Sequence, residues 1–307
     1  MSNLRVGVLR GGPSSEYEVS LKTGASVLSA LPKNIYQPRD IFISRDGTWH
    51  LGGLPVWPEQ AAEQVDIFFN CLHGEYGEDG QIQRLLHSLD KPYTGPEEIP
   101  ALTSINKPMT KQLLARAGLR VAPSMVVIAR ANHRESAEQI FKKIPPPWVV
   151  KPADRGSSVG LSFARSFDQL IESISQASAV SDQILVEQLI KGKEGTVGVV
   201  ERFRGQPLYT LFPVEKCSHG HLCPGTFTDE EKAELASQAI LAHEHLGLRH
   251  YSNSDFIVSP RGIYLLEVNS LPGMTPESIL PRALEAVGVR YPDFLTHVID
   301  LALERDR

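Results

Sequence analysis

Cysteine is scarce in this sequence: Cys71, Cys217 and Cys223 are the three among 307 residues. They are too few and too scattered for a disulfide framework or a zinc pattern, which favours a reduced cytoplasm. No apolar run approaches the roughly 20 residues that a membrane helix needs. The opening segment MSNLRVGVLRGG runs straight into strand-like sequence with no charged-then-apolar leader. Nor does charge of one sign dominate, since the formal net charge is only -5. DNA, RNA and anionic membranes are therefore not expected as partners, although a phosphate pocket needs only local positive charge. The spaced G-x-G-x-x-G fingerprint is missing as well, which argues against a nicotinamide oxidoreductase. Internal repeats and low-complexity tracts are also lacking.

What remains is a soluble globular composition long enough for two or three lobes sharing a cleft. Strand-like and helix-like segments alternate at the start. Leu4–Leu9, Asp40–Ile43 and Val65–Asn70 read as strands, Val19–Leu31 and Gly80–Leu89 as helices. Such alternation predicts a parallel sheet with its ligand edge at the C-terminal ends of the strands. A Pro/Gly-rich stretch, Pro92–Pro100, marks a boundary. Beyond it the spacing predicts helices over Lys107–Ala117, Arg134–Lys143 and Asp229–Leu246. Strands are predicted at Ser124–Ile128, Trp148–Lys151 and Ile184–Leu189. Ser254–Val258 and Gly262–Val268 form a hairpin through Ser259-Pro260-Arg261-Gly262.

Four constellations carry chemistry. Glu267 and Asn269 lie two apart on one predicted strand and so share a face; Asp255, on the neighbouring strand, can come alongside. Three hard oxygen ligands suit Mg²⁺, although a solvent-facing hairpin reads the same way in isolation. Lys151, delivered by a strand, precedes a small-residue loop, Gly156–Gly160, whose N–H groups can wrap phosphate. Taken alone, that string is equally an ordinary turn. Gly11-Gly12 ends a strand ahead of a helix, and Glu16 there can hold a substrate ammonium or simply stabilise the helix N-terminus. His73, in HGEYGEDG, follows a strand and is positioned for the cleft, though a solitary histidine is more often structural.

In this order the motifs GGPSSEYEVS, HGEYGEDGQIQ, PYTG, NKPMTK, VVKPADRGSSVG, LVEQLIKGKEGTVGV, CPG and DFIVSPRGIYLLEVNSLPGMTPESILP closely resemble the D-alanine–D-alanine ligases of the ATP-grasp superfamily, essentially end to end. The resemblance implies an α/β chain: a Rossmann-like N-terminal domain, then a two-lobed α+β ATP-grasp fold with nucleotide between the lobes. The corresponding units are residues 1–95, 96–182 and 183–307. Lys107, Lys151 and Lys216 would meet ATP phosphates, with Gly156, Ser157 and Ser158 in the covering loop. Glu187, Ile190 and Glu194 would frame adenine and ribose. Asp255, Glu267 and Asn269 would hold two Mg²⁺ ions, with Mn²⁺ as an alternative. Glu16 and His73 would lie at the first amino acid, Glu16 bonded to Ser157; Gly273 and Ser278 would bind the carboxylate of the second. Glu16, Ser157, Asn253 and Gly273 would serve the chemistry itself. The implied reaction joins two D-alanines through an acyl phosphate for peptidoglycan synthesis, in a homodimer.

Two departures from the family pattern stand out. Asn253 occupies the position, two residues before the metal aspartate, where the family usually has an arginine. The lid between Pro213 and Cys223-Pro224-Gly225 is short and lacks the usual tyrosine. Loss of one oxyanion donor typically costs about 10²–10³ in rate. Arg155, in the glycine loop, is a candidate to restore the charge. The alternatives are a ligase for other amino acids and a catalytically impaired nucleotide-binding homologue.

Overall fold

The computed structural model describes residues 3–154, 160–218 and 220–304. The chain opens as expected: β1 (Leu4–Gly11), α1 (Tyr17–Ala30), β2 (Tyr36–Ile43), a short antiparallel pair β3 (Trp49–Leu51) and β4 (Leu54–Val56), then α2 (Pro58–Glu63), β5 (Ile67–Asn70) and α3 (Gln81–Ser88). The sheet order is β4-β3-β2-β1-β5, with β2, β1 and β5 parallel. Val6, Val8, Phe68 and Phe69 are fully buried, as strands covered on both faces require. The ends of β1 and β5 point the Gly11–Glu16 turn and the His73 loop toward one cleft.

The boundary stretch carries more structure than its composition suggests, because α4 (Glu98–Ile105) begins inside it. Next come α5 (Lys107–Arg116), β6 (Ser124–Ile128), α6 (His133–Lys143), β7 (Trp148–Pro152), β8 (Ser162–Ala164), α7 (Phe167–Ser178) and β9 (Gln183–Gln188). Their antiparallel sheet runs β6-β9-β7-β8. The start of α5 follows from local chemistry. Asn106 caps it by accepting the Met109 N–H, and Pro108 sits in the first turn, where a missing N–H costs nothing.

The final sheet is built on β10 (Lys193–Phe203), whose one edge meets β11 (Gln206–Thr210) and β12 (Val214–Cys217). Its other edge meets β14 (Tyr251–Ser259), which pairs with β15 (Gly262–Asn269) as the expected hairpin. β13 (Gly220–Leu222) folds back on β12, so the short lid is a strand pair. α8 (Asp229–His245) is started by a Thr228–Glu231 capping box. The last helices, α9 (Ile279–Ala286) and α10 (Tyr291–Glu304), return to the first sheet. Phe294, Leu295, Val298 and Ile299 share one core with Val6, Val8, Ile67 and Phe69. That return anchors the N-terminal sheet to the C-terminal part of the chain.

Candidate active site

Two chambers of similar size meet at one wall. The first, about 360 Å³, is lined by Lys107, Lys151, Glu187, Ile190, Glu194 and Lys216, with Val149, Phe163 and Ile257 as apolar surfaces. The second, about 350 Å³, is lined by Glu16, His73, Asn253, Asn269, Gly273 and Ser278. Lys216, Asp255 and Glu267 line both. A larger concavity of about 630 Å³ beside Tyr93 and Arg249 contains none of these groups. The residues expected at nucleotide and those expected at amino acids thus fall into separate, adjoining spaces.

Register explains the shared wall. Asp255 stands opposite Glu267, and Asn253 opposite Asn269, across the β14–β15 pair; an irregularity after Asp255 shifts the pairing beyond it. All four face the cleft, which disposes of the solvent-facing hairpin. Thr196, opposite Asp255 on β10, donates to Asp255 Oδ1 at 2.6 Å. Lys216 bridges Asp255 Oδ2 and Glu194 Oε1, each at 2.8 Å, and Lys107 Nζ is 3.4 Å from Glu267 Oε2. Burial and repulsion from Glu267 hold Asp255 above its ordinary range, with Lys216 opposing. For Glu267, burial is outweighed by Lys107, Lys151 and Lys216, which keep it ionised.

These carboxylates already attract ammonium groups, which suits them to a divalent cation. Among the described residues, no three acid, histidine or cysteine groups gather as a complete cage. The set is two acids and an amide, and Mg²⁺ characteristically fills such a partial sphere with phosphate oxygens and water.

In the first chamber, β7 and β9 bring Lys151 and Glu187 to one face, diagonal to each other. Lys151 Nζ lies 2.8 Å from Glu187 Oε2, and Lys111 Nζ lies 2.6 Å from Glu187 Oε1. Burial would raise Glu187, but Lys111 and Lys151 hold it below the usual carboxylate range. Lys111 was not foreseen, although its place one helical turn after Lys107 puts both on one face of α5.

In the second chamber, Glu16 stands at the N-cap position of α1, and its buried Oε1 has no hydrogen-bond partner among the described residues. Burial and the nearby Glu75 raise its pKa. Asn253 is buried and its Oδ1 is likewise unpartnered among the described residues. His73 bonds to Thr23 Oγ1 at 2.9 Å, and burial lowers it to about 4, so it is neutral. Gly273 packs against Ser278: a Cβ there would stand 3.0 Å from the Ser278 hydroxyl. Sequence reasoning also missed Glu78 and His221, which line this chamber. Glu78 was in view within HGEYGEDG, whereas nothing in the pattern marks His221. Arg155, Gly156, Ser157 and Ser158, and with them the Glu16–Ser157 bond, lie outside the described residues.

Known proteins resemble this chain in sequence and fold. The family model described as D-ala D-ala ligase C-terminus matches residues 113–300, and that described as D-ala D-ala ligase N-terminus matches residues 5–61 and 53–96. A D-alanine–D-alanine ligase of Geobacter sulfurreducens is 36% identical over 97% of this chain and 94% of its own length. Among solved structures, the VanG D-Ala:D-Ser ligase of Enterococcus faecalis superposes with a TM-score of 0.89 at 25% identity, over 98% of this chain and 100% of its own. A D-alanine–D-alanine ligase of Bacillus anthracis complexed with ATP gives 0.83 at 26%, over 99% and 98%. Fold and chambers together define an ATP-grasp architecture built for ligation. The chain belongs to the D-alanine–D-alanine ligase family.

Proposed function

We propose that this protein joins two D-alanines at the expense of ATP and so supplies a peptidoglycan precursor. The observation that carries the reading is the shared wall: Lys216, Asp255 and Glu267 face both the nucleotide chamber and the amino-acid chamber. A γ-phosphoryl group there is within reach of a carboxylate bound on the other side. One oxygen of the first D-alanine's carboxylate bonds to the γ-phosphorus, the bond to ADP breaks, and an acyl phosphate results. Lys107, Lys151 and Lys216 neutralise the phosphates, and positioning does most of the work. Bound Mg²⁺, held by Asp255, Glu267 and Asn269, would add charge neutralisation at the same oxygens.

The neutral amine of the second D-alanine then attacks the acyl carbon. The carbon–oxygen bond to phosphate breaks, and one former carboxylate oxygen leaves with the phosphate. Glu16 receives the first ammonium group, while Gly273 and Ser278 hold the second carboxylate. Asn253, whose side-chain amide faces the chamber, donates to the developing oxyanion. A kinship with a D-Ala:D-Ser ligase supports a second reading, in which the second amino acid differs.

Mass spectrometry of products formed from ATP, Mg²⁺ and mixed D- and L-amino acids tests the proposal. D-Alanyl-D-alanine should dominate; nucleotide binding without amino-acid-dependent ADP release would indicate an impaired homologue. Division into units 1–95, 96–182 and 183–307, a cytoplasmic site of action and a homodimer complete the proposal. No described helix is long and apolar enough to cross a membrane. The exposed Ile99 and Leu102 on α4 offer apolar surface to a second copy, which sedimentation would detect.

A further inference from the structure

Glu78 has no assigned part in this chemistry, yet it joins the two halves of the amino-acid chamber. Its side chain is buried, and Oε2 accepts the Gly74 N–H at 2.6 Å. Glu78, His73 and Leu271 line the same chamber, where the Leu271 N–H favours the charged form of the Glu78 carboxyl and the Leu271 carbonyl favours a protonated His73. Two side chains of one N-terminal loop therefore face both polar groups of a single residue in the turn after β15. The Leu271 side chain is fixed too. It is buried, and one of its methyls lies 2.6 Å from where a Cβ on Gly95 would stand. Two residues further on, Gly273 meets Ser278.

The other end of this contact lies against Glu16. A Cβ on Gly74 would stand 2.7 Å from Ser14 Oγ and 3.4 Å from Glu16 Oε1, so the peptide that Glu78 anchors abuts the first amino acid's receptor. One carboxyl thus links the segment beside the first subsite to the segment beside the second. Burying a carboxyl is costly unless its oxygens are used, and an apolar side chain could fill the volume without holding either amide.

We infer that Glu78 is a positioning residue: through Gly74 and Leu271 it sets the first substrate's carboxyl carbon against the second substrate's amine. This rests on the ligase reading above. Burial, then repulsion from Glu16, lifts Glu78 to about 8, with Lys107 opposing. Because a carboxyl oxygen accepts N–H bonds in either protonation state, the contact persists across neutral pH.

If the alignment is lost, the acyl phosphate goes to water: a water oxygen bonds to the acyl carbon, the bond to phosphate breaks, and carboxylate and phosphate result. The test measures dipeptide formed per ADP released at saturating ATP and D-alanine. Wild-type enzyme should give a ratio near one. In Glu78→Ala the ratio should fall about ten-fold or more, since small misplacements weigh heavily on such steps, with KM for ATP unchanged. Glu78→Gln, whose amide oxygen keeps an acceptor, should fall in between, and it decides alone if the alanine variant fails to fold. A ratio unchanged from wild type, or dipeptide and ADP declining in strict proportion, would overturn the inference. Wild-type enzyme that releases no ADP with D-alanine would instead sink the ligase reading itself.

Discussion

The two chambers share a wall but balance charge in opposite ways. On the nucleotide side, Lys111 and Lys151 flank Glu187 at 2.6 and 2.8 Å, and all three are buried. The cations are already paired there. On the amino-acid side, Glu16 Oε1 and Asn253 Oδ1 are buried without partners among the described residues, and Glu16 and Glu78 are both pushed above their ordinary range. On this side Lys216 is taken up by Asp255 and Glu194, which leaves Glu16 to a cation that the ligand would supply. The difference teaches where each class of substitution should act: nucleotide-side changes on stability and ATP affinity, amino-acid-side changes on turnover.

Removing a wall carboxylate should have the largest effect, because it serves both chambers. Glu267→Gln is expected to lower amino-acid-dependent ADP release about 10³-fold, equivalent to several kcal/mol of transition-state stabilisation. A loss confined to KM for ATP would contradict the shared wall. Asn253→Ala should come next, lowering kcat by about 10² while KM for ATP stays constant. An unaltered kcat would remove Asn253 from the chemistry.

Lys111→Met probes the paired side. Breaking a buried ion pair costs about 3–5 kcal/mol, so thermal denaturation should show a clear drop in Tm. If stability is unchanged, the nucleotide side is not held together as described. The last effect concerns pH. Glu78 binds its proton more tightly in the folded chain, at about 8 against an ordinary 4.5. Native protein therefore carries more protons than unfolded protein between those values, and its stability should decline as pH rises through that window. Glu78→Gln should lack that decline, so the Tm of wild type relative to Glu78→Gln should fall between pH 5 and 8.5. Parallel Tm curves would place Glu78 in a better solvated setting.

Much of this site is readable in the sequence because its ligands sit on short-range patterns. The i, i+2 spacing of Glu267 and Asn269 fixes a common face, and Asn106 with Pro108 marks the helix that delivers Lys107. Features that depend on distant packing are not readable. β10 is buried along most of its length but contains Gly195, Gly198 and flanking charges, so no alternation betrays it. Gly198 faces Asn253 so closely that a Cβ would stand 3.2 Å from Oδ1, a requirement that exists only once the strands pair. The return of α10 to the first sheet is likewise tertiary, since an amphipathic helix does not specify which face will cover it. The lid reads as a loop because β13 is three residues long and wholly exposed.

The central claim is that phosphoryl transfer crosses the wall from one chamber to the other. Incubation with ATP and D-alanine labelled with ¹⁸O in both carboxylate oxygens, followed by mass analysis of the released phosphate, tests it most directly. The account predicts one ¹⁸O in each phosphate, matching the dipeptide formed. Dipeptide accompanied by unlabelled phosphate would contradict it.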